Sequence, residues 1–406
     1  MSTKPKILIA MDTMMCGGIE KSLLSLLNAL DGSKVDITLI LNERKGLFMK
    51  FIPDWVNVHK IAYSKNISDE KKLGRKQLLK KNIRHLRLFH SVKQYLSLRK
   101  ENRMQEDDRL IHRYRRYHNE IIEDNIVSSH YDLAVAYANI EQMILVSDKI
   151  NATRKIAFFH TELDGLTKDI NRYYGIFSKF DTLYCVSKDL TLSLKNRLPD
   201  FNDRIKHFPH IFNTGMMKEW AEKFEAEWKV NSLKLLSIGR VQHQKGFDLI
   251  PDIAHKLRKS NINFQWLIIG DGPMIKDISK RLTELKVDDC VTFCGIKENP
   301  YPYFASCDIY IQPSRYEGYC LTVAEARVFA RPIIATRFDG ANEQLEGGMC
   351  GKVVDCDIDQ LFTAIKKLAD NPNLRAQYSK ALIKQKINDT SGANIFMEEV
   401  KKSLFS

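Results

Sequence analysis

The chain lacks any run approaching the roughly 20 apolar residues that a membrane-crossing helix needs, although it is 406 residues long. It also lacks a leader-like start. Met1-Ser2-Thr3-Lys4-Pro5-Lys6 runs straight into the apolar stretch Ile7 to Ala10, with no longer hydrophobic region and no small-residue cleavage site. The expectation is a cytosolic protein. Missing too are Cys-x-x-Cys pairs, a Walker motif, Gly-x-Gly-x-x-Gly, low-complexity tracts and repeats at solenoid periods. These absences argue against zinc fingers, P-loop nucleotide hydrolysis, dinucleotide binding of the fingerprint type and repeat architectures.

What is present is globular in character. Hydrophobic residues make up 44% of the chain, with 19 Gly and 11 Pro, so it has enough apolar surface to build a core. At roughly 150 residues per domain, the length implies two or three domains. Eight cysteines (Cys16, Cys185, Cys290, Cys294, Cys307, Cys320, Cys350 and Cys356) read as reduced, mostly buried thiols. Cys290 and Cys294 would share one face of a strand, but two further metal ligands are not at hand.

The net charge of +13 is concentrated. Between Lys65 and Tyr117 there are 17 Lys or Arg against 6 Asp or Glu. Within this segment Leu79, Ile83, Leu86, Phe89, Val92 and Leu96 keep helical spacing, with Lys80, Lys81, Arg84 and Arg87 beside them. A basic amphipathic helix suits an anionic membrane surface or another polyanion; a solvated hairpin packed through those apolar residues is the other reading. No nucleic-acid-binding motif accompanies it.

Strand and helix patterns alternate twice. In the first half strands are expected at Lys6 to Ala10, Val35 to Leu41, Leu133 to Tyr137, Lys155 to Phe159, Thr182 to Val186 and Ile205 to Phe208. In the second half they are expected at Lys234 to Ile238, Gln265 to Ile269, Val291 to Cys294, Ile309 to Gln312, Pro332 to Ala335 and Gly351 to Val354. Short apolar strands separated by helices indicate parallel sheets covered on both faces. The predicted fold class is α/β, with two doubly wound, Rossmann-like domains, residues 1–212 and 213–387, and a ligand cleft expected between them. Residues 64–119 read as an insertion into the first domain.

Several strand ends carry chemistry. The run Glu317-Gly318-Tyr319-Cys320-Leu321-Thr322-Val323-Ala324-Glu325 places two carboxylates around a turn that opens a helix from Leu321 to Ala330. The free N–H groups and positive dipole end of such a helix suit a diphosphate. Gly239-Arg240 and Lys245-Gly246 follow a strand, where two cations can converge on one anion and neutralise a leaving group without metal. Gly17 and Gly18 precede the helix Ile19 to Leu30, where they either let backbone approach a phosphate or simply form a tight turn. Gly270-Asp271-Gly272-Pro273 forms another strand-end turn, with Pro273 suited to a first helical turn. Phe158-Phe159-His160-Thr161 brings a histidine to the end of an apolar strand; it is either structural or reactive.

Taken in order, Gly17-Gly18-x-Glu20, His160, Val186-Ser187-Lys188, Gly239-Arg240-x4-Lys245-Gly246, Gly270-Asp271-Gly272-Pro273 and Glu317-x7-Glu325 resemble the retaining nucleotide-sugar glycosyltransferases of the group 1 type, family 4 of the sequence classification. The resemblance implies the GT-B fold, with the first domain binding acceptor and the second binding donor. It implies that Arg240 and Lys245 hold the donor diphosphate, assisted by Gly17, Gly18, Gly239 and the backbone of Leu321, Thr322 and Val323. It further implies that Glu317 binds sugar hydroxyls, Glu325 the ribose, His160 lies near the reacting sugar, and Gly295 and Ile296 flank the base. A C-terminal helix, about residues 388–406, would cross back to the first domain. The chain departs from the family in its basic insertion, in Cys320 where Gly or Pro is frequent, and in Arg327 where a small or neutral residue is usual.

The expected activity is retaining, metal-independent transfer of a hexosyl unit from a nucleotide sugar, UDP-sugar favoured, to a hydroxyl of a lipid-linked saccharide or cell-surface polysaccharide precursor. No cofactor is expected. The expected location is the cytoplasm, peripheral on the inner face of the cell membrane. The alternatives are a nucleotide- or polyanion-binding scaffold without activity and a nucleotide-sugar epimerase. The basic segment makes a direct prediction: the protein floats with anionic liposomes and stays behind with neutral ones. Equal recovery with both would remove the membrane role.

Overall fold

Short apolar runs, not long ones, set the strands of the protein. The computed structural model describes residues 4–15, 17–64, 67, 68, 70, 77, 101, 103–122, 125–160, 167–229, 231–338, 340–385, 387 and 391–405. The amphipathic pattern from Leu79 to Leu96, Cys16, Thr161 and Asn388 therefore lie outside the described residues.

The chain divides into two units: residues 1–186, 191–209 and 392–406 form the first, and 187–190 with 210–391 the second. In the first unit β1 (Lys6–Met11), β2 (Asp36–Leu41), β3 (Asn57–Lys60), β4 (His130–Ala136), β5 (Asn151–Phe159), β6 (Thr182–Cys185) and β7 (Ile205–His207) form one sheet of order β3-β2-β1-β4-β5-β6-β7. In the second, β8 (Leu233–Ile238), β9 (Phe264–Ile269), β10 (Val291–Phe293), β11 (Ile309–Gln312), β12 (Ile333–Thr336) and β13 (Lys352–Val354) form a sheet of order β10-β9-β8-β11-β12-β13. Every pairing in both sheets is parallel. The α/β class and the Rossmann-like character of both units follow from this.

Twelve of these strands coincide with expected runs, shifted at most a few residues at an end. Strand β3 was not expected. Its sequence Asn57-Val58-His59-Lys60 is polar and only partly buried, because it sits at the sheet edge where one side needs no apolar cover.

Core packing explains the two-sided coverage. In the second unit one cluster gathers Trp266, Phe247, Ile250, Ile253 and Leu257 with Leu361, Ile365 and Leu368 of helix Ile358–Ala369. A second cluster joins Leu236, Ile269, Tyr310 and Phe304 with Val323 and Ala324 of helix Leu321–Val328. Alternate side chains of β8, β9 and β11 divide between the two, as the two-residue strand period requires.

Both sheets reverse direction of growth at one place, between β1 and β4 in the first unit and between β8 and β11 in the second. Such switch points, at the carboxyl ends of the strands, are where open parallel sheets hold ligands. Of the basic segment, helix Glu106–His118 is described, and the buried Glu70 accepts from Arg116 at 2.6 Å and from Tyr117 at 3.0 Å.

The chain returns to the first unit with helix Ser391–Leu404, which buries Phe396 and Val400 completely or nearly so. Its Glu399, 1% exposed, accepts from Arg154 Nε of β5 at 2.6 Å and from the Tyr184 hydroxyl of β6 at 3.0 Å. Burial alone would raise this carboxyl, but Lys402, Arg154 and Tyr184 together hold it below the ordinary glutamate value. Its stabilising contribution is therefore present at neutral pH and lost as acid titrates the carboxyl through its lowered value. Glu399→Gln removes the closer of Arg154's two carboxylates and leaves Asp181 Oδ1 at 3.6 Å from its Nη1, so it should cost about 1.5–3 kcal/mol in chemical denaturation at pH 7, with a flatter acid dependence than wild type. A loss within about 0.5 kcal/mol, the size of an ordinary surface substitution, would show that the pair does not secure this helix.

Candidate functional site

The C-terminal ends of β8 and β11 are adjacent, with Tyr310 opposite Leu236, and the two loops that leave them carry opposite charges toward each other. After β8 the backbone keeps one more ladder bond, Gly239 N–H to Ile269 O at 3.0 Å, and then turns through His243–Lys245. Lys245 folds back so that its aliphatic stem covers Gly239. A Cβ at Gly239 would lie 3.3 Å from Lys245 Cδ, so the glycine clears a path for that stem. Its role here is space, and left-handed backbone appears instead at Gly246, with φ +68°, where a Cβ would strike the Pro313 carbonyl oxygen at 1.9 Å.

Lys245 Nζ meets Glu317 Oε1 at 2.5 Å, and their side chains are only 18% and 9% exposed. Burial disfavours the ammonium, yet the neighbouring carboxylate prevails and raises Lys245 above the ordinary lysine value; the charge of Arg240 pulls weakly the other way. Arg240 itself is exposed on the same loop. A buried cation and an exposed cation thus sit together at the switch point.

Beneath Glu317 lies a buried chain of hydrogen bonds. The Ser314 hydroxyl donates to Glu317 Oε1 at 2.7 Å and accepts from Gln312 Nε2 at 2.8 Å. Gln312 Oε1 in turn accepts from the Tyr310 hydroxyl at 2.5 Å and from the Thr322 hydroxyl at 3.1 Å. Each hydroxyl has one proton to give, and the chain runs from Tyr310 and Thr322 through Gln312 to Ser314, which alone of the four donates to the carboxylate. Thr322 thus spends its hydroxyl on Gln312.

Helix Leu321–Val328 begins at Cys320, which is buried and holds a left-handed backbone at φ +65°. That conformation costs a non-glycine residue roughly 1–2 kcal/mol, and the backbone is held by Gln344, whose side-chain amide reaches the Tyr319 and Cys320 carbonyls. Burial pushes the Cys320 thiol up to about 12, so it stays protonated. Val323 N–H bonds the Cys320 carbonyl at 3.0 Å, whereas Leu321 and Thr322, as the first two helical residues, have no intrahelical acceptor. Glu325, 2% exposed, lies on the same helix. Arg327 reaches Gln385 Oε1 at 3.1 Å.

The neighbouring strand ends complete the floor. Gly270 has φ +145°, and a Cβ there would meet the Gly239 carbonyl oxygen at 1.9 Å; its N–H bonds the Gly295 carbonyl at 2.9 Å. Gly295 opens on free space and Ile296 after it is 54% exposed. Pro273 lies in the turn ahead of helix Ile275–Glu284, not in its first turn as expected.

In the first unit, Gly17 caps helix Gly18–Ala29 after β1, and a Cβ on it would collide with Glu20 Oε2. Across the switch point the Ser22 and Tyr137 hydroxyls lie 2.9 Å apart. His160 follows β5, its ring centroid 5.0 Å from Tyr137 and 6.0 Å from Phe158. Burial lowers the imidazole to about 4, against a hydrogen bond that the ring donates to the Tyr137 backbone, which favours the charged form. His160 is neutral at pH 7, and among the described residues its Nε2 has no partner. Among the described residues no cluster of three or more His, Cys, Asp or Glu side chains is arranged to hold a metal ion.

Within the second unit the structure brings together Gly239, Arg240, Lys245, Glu317, Leu321, Thr322 and Val323, with Gly295 and Ile296 at the neighbouring strand end. Gly17, Gly18 and His160 stand at the strand ends of the first unit. Sequence reasoning missed Tyr310, Gln312 and Ser314. Their signal was a polar residue at every second place through the end of an otherwise apolar strand, which is where a buried network leads to a site.

Residues 218–385 match the sequence profile of the family described as glycosyl transferases group 1. Alpha-D-kanosaminyltransferase of Streptomyces kanamyceticus is 29% identical over 149 residues, covering 36% of this chain and 39% of that protein. The N-acetylgalactosamine-N,N'-diacetylbacillosaminyl-diphospho-undecaprenol 4-alpha-N-acetylgalactosaminyltransferase of Campylobacter jejuni is 23% identical over 228 residues, covering 54% and 62%. The chain thus spans about two to three fifths of the length of these curated relatives. The crystal structure of Anabaena Alr3699/HepE in complex with UDP and glucose has the same fold, with a TM-score of 0.72 at 14% identity over 98% of this chain and all of that one. The matched unit thus carries the sequence profile of the glycosyl transferases group 1, and the chain has the GT-B fold of two Rossmann-like parallel-sheet domains.

Proposed function

We propose that the protein is a retaining glycosyltransferase that moves a hexosyl unit from a nucleotide diphosphate sugar, UDP-sugar favoured, to a hydroxyl of a lipid-linked saccharide or cell-surface polysaccharide precursor. The observation that supports it most is the desolvated Lys245–Glu317 pair at the β8–β11 switch point, beside the exposed Arg240. A buried ammonium held ready by a carboxylate is suited to a dianion that arrives and then gains charge.

In this reading the donor diphosphate draws Lys245 and Arg240 to its oxygens, with the Leu321 and Thr322 N–H groups assisting. As the bond from the anomeric carbon to the phosphate oxygen breaks, the electron pair leaves with the diphosphate, and these groups stabilise it most in the transition state. Glu317, relieved of Lys245 but still oriented by Ser314, accepts from a sugar hydroxyl. The acceptor oxygen bonds the anomeric carbon on the face the diphosphate leaves, and its proton passes to the departing phosphate oxygen. Configuration is retained without a protein nucleophile, and no metal is required because the cations are already in place.

Glu325 would take the ribose, and Gly295 and Ile296 the base. His160, neutral, would offer a hydrogen bond to the reacting sugar. A UDP-linked donor is favoured by the likeness to a protein crystallised with UDP and glucose, and a lipid-linked acceptor by the relative named for a diphospho-undecaprenol saccharide. No helix among the described residues is long and apolar enough to cross a membrane, so work at the inner membrane face would rest on peripheral contact through the basic segment.

Lys245→Ala should lower turnover a hundredfold or more, read as nucleoside diphosphate released from a panel of sugar nucleotides with membrane extract as acceptor. Near-normal turnover would sink the assignment. Because His160 is neutral down to about pH 4, the rate between pH 5 and 7 should carry no inflection that His160→Asn abolishes. For the same reason His160 stabilises the fold fully above the ordinary histidine value and progressively less as pH falls below it.

A further inference from the structure

The turn that carries Lys245 is laced to the Glu317 loop by contacts that do not involve Lys245 itself. Arg315, two residues before Glu317, sends Nη1 and Nη2 to the two Asp248 carboxylate oxygens, both at 2.7 Å. The same guanidinium donates from Nη1 to the His243 carbonyl at 2.6 Å, and the Arg315 N–H donates to the Gln244 carbonyl at 2.8 Å. Gln244 Nε2 returns the link to the Tyr316 carbonyl at 3.1 Å. Gly246 lies against Pro313. Residues on both sides of Lys245 are therefore fixed to residues on both sides of Ser314.

We propose that Arg315 and Asp248 are positioning residues, a bidentate clamp that holds the Lys245 turn in register with Glu317 while the Lys245 ammonium is engaged elsewhere. The inference rests on the glycosyl-transfer reading above. In the resting site Lys245 and Glu317 join the two loops directly. A bound diphosphate takes the ammonium for itself and dissolves that link at the moment when placement counts most, since displacement of about 1 Å can cost a hundredfold in rate. The clamp is what remains.

Chemistry favours this pair for the task. Lysine's ammonium rides on a flexible stem, so its position depends on the backbone beneath it. Arginine's planar fork meets a carboxylate in one orientation. Burial raises the Asp248 carboxyl, but Arg315 overcomes this and holds it below the ordinary aspartate value, so both partners are charged. The two side chains are 25% and 27% exposed, so the pair lies at the edge of the unit and buries no apolar core residue with it. Its loss should register in the site more than in the melting curve.

The test is Asp248→Asn, Arg315→Gln, their double variant and the milder Arg315→Lys. Competitive acetic anhydride labelling, read by mass spectrometry, reports the reactivity of Lys245 against the exposed Lys276. Labelling of Lys245 should rise severalfold in each single variant, no further in the double variant, and should not be restored in Arg315→Lys, whose point charge cannot fork. Turnover of UDP-glucose with membrane extract should fall at least tenfold in kcat with KM little changed, while the melting temperature moves by a few degrees. Unchanged Lys245 labelling overturns the clamp, and so does raised labelling with wild-type kcat. If the wild type turns over no sugar nucleotide, the catalytic reading fails, and the labelling still decides the clamp.

Discussion

Taking a lysine and a glutamate out of water together is costly unless each keeps enough partners, and the second unit is arranged around one such contact. Glu317 Oε1 receives both Lys245 and Ser314. Ser314 is held by Gln312, and Gln312 by Tyr310 and Thr322. The demand spreads to the backbone. The Lys245 stem lies over Gly239, where a side chain would crowd it, and the turn closes only because Gly246 adopts a left-handed conformation against Pro313. Strand order answers to the same contact, since β8 and β11 are distant in sequence and must be neighbours for the two loops to meet.

The expected strands were legible because most are short, predominantly apolar blocks between turn formers, and such blocks in alternation with helices leave parallel sheets as the solution. Asn57–Lys60 was illegible by the same logic: an edge strand is held by one neighbour's hydrogen bonds and needs no apolar run. Glycines and charged residues at strand ends were likewise visible as spacing. Their partners were not. Nothing in the sequence near Asp248 points to Arg315, because the pair forms across the sheet's reversal, and only the fold brings it within reach. Gln312 and Ser314 were missed because the hydrogen bonds that hold them come from Thr322 and Thr336, which arrive from other elements.

Cys320 shows how local preference yields to the surroundings. Its left-handed backbone would ordinarily call for glycine or asparagine, but Gln344 grips the carbonyls on either side of it, and its side chain is enclosed with Val323 and Phe338 in the apolar cluster. The strain sits where the polypeptide changes from turn to helix. A flexible residue there would let the first turn of the helix wander, whereas a buried thiol fastens it.

Helix Ser391–Leu404 is last in the chain yet belongs to the first unit, where Glu399 meets Arg154 and Tyr184. Synthesis runs from the amino end, so the first sheet can be made long before its final helix exists. Through that interval Arg154 is a cation without the closer of its two carboxylates, and the face that will receive Phe396 is open to water. The second unit, contiguous apart from four residues, has all its strands before the ribosome reaches that helix. The nascent polypeptide therefore holds the strands of both units before it holds the helix that covers the first.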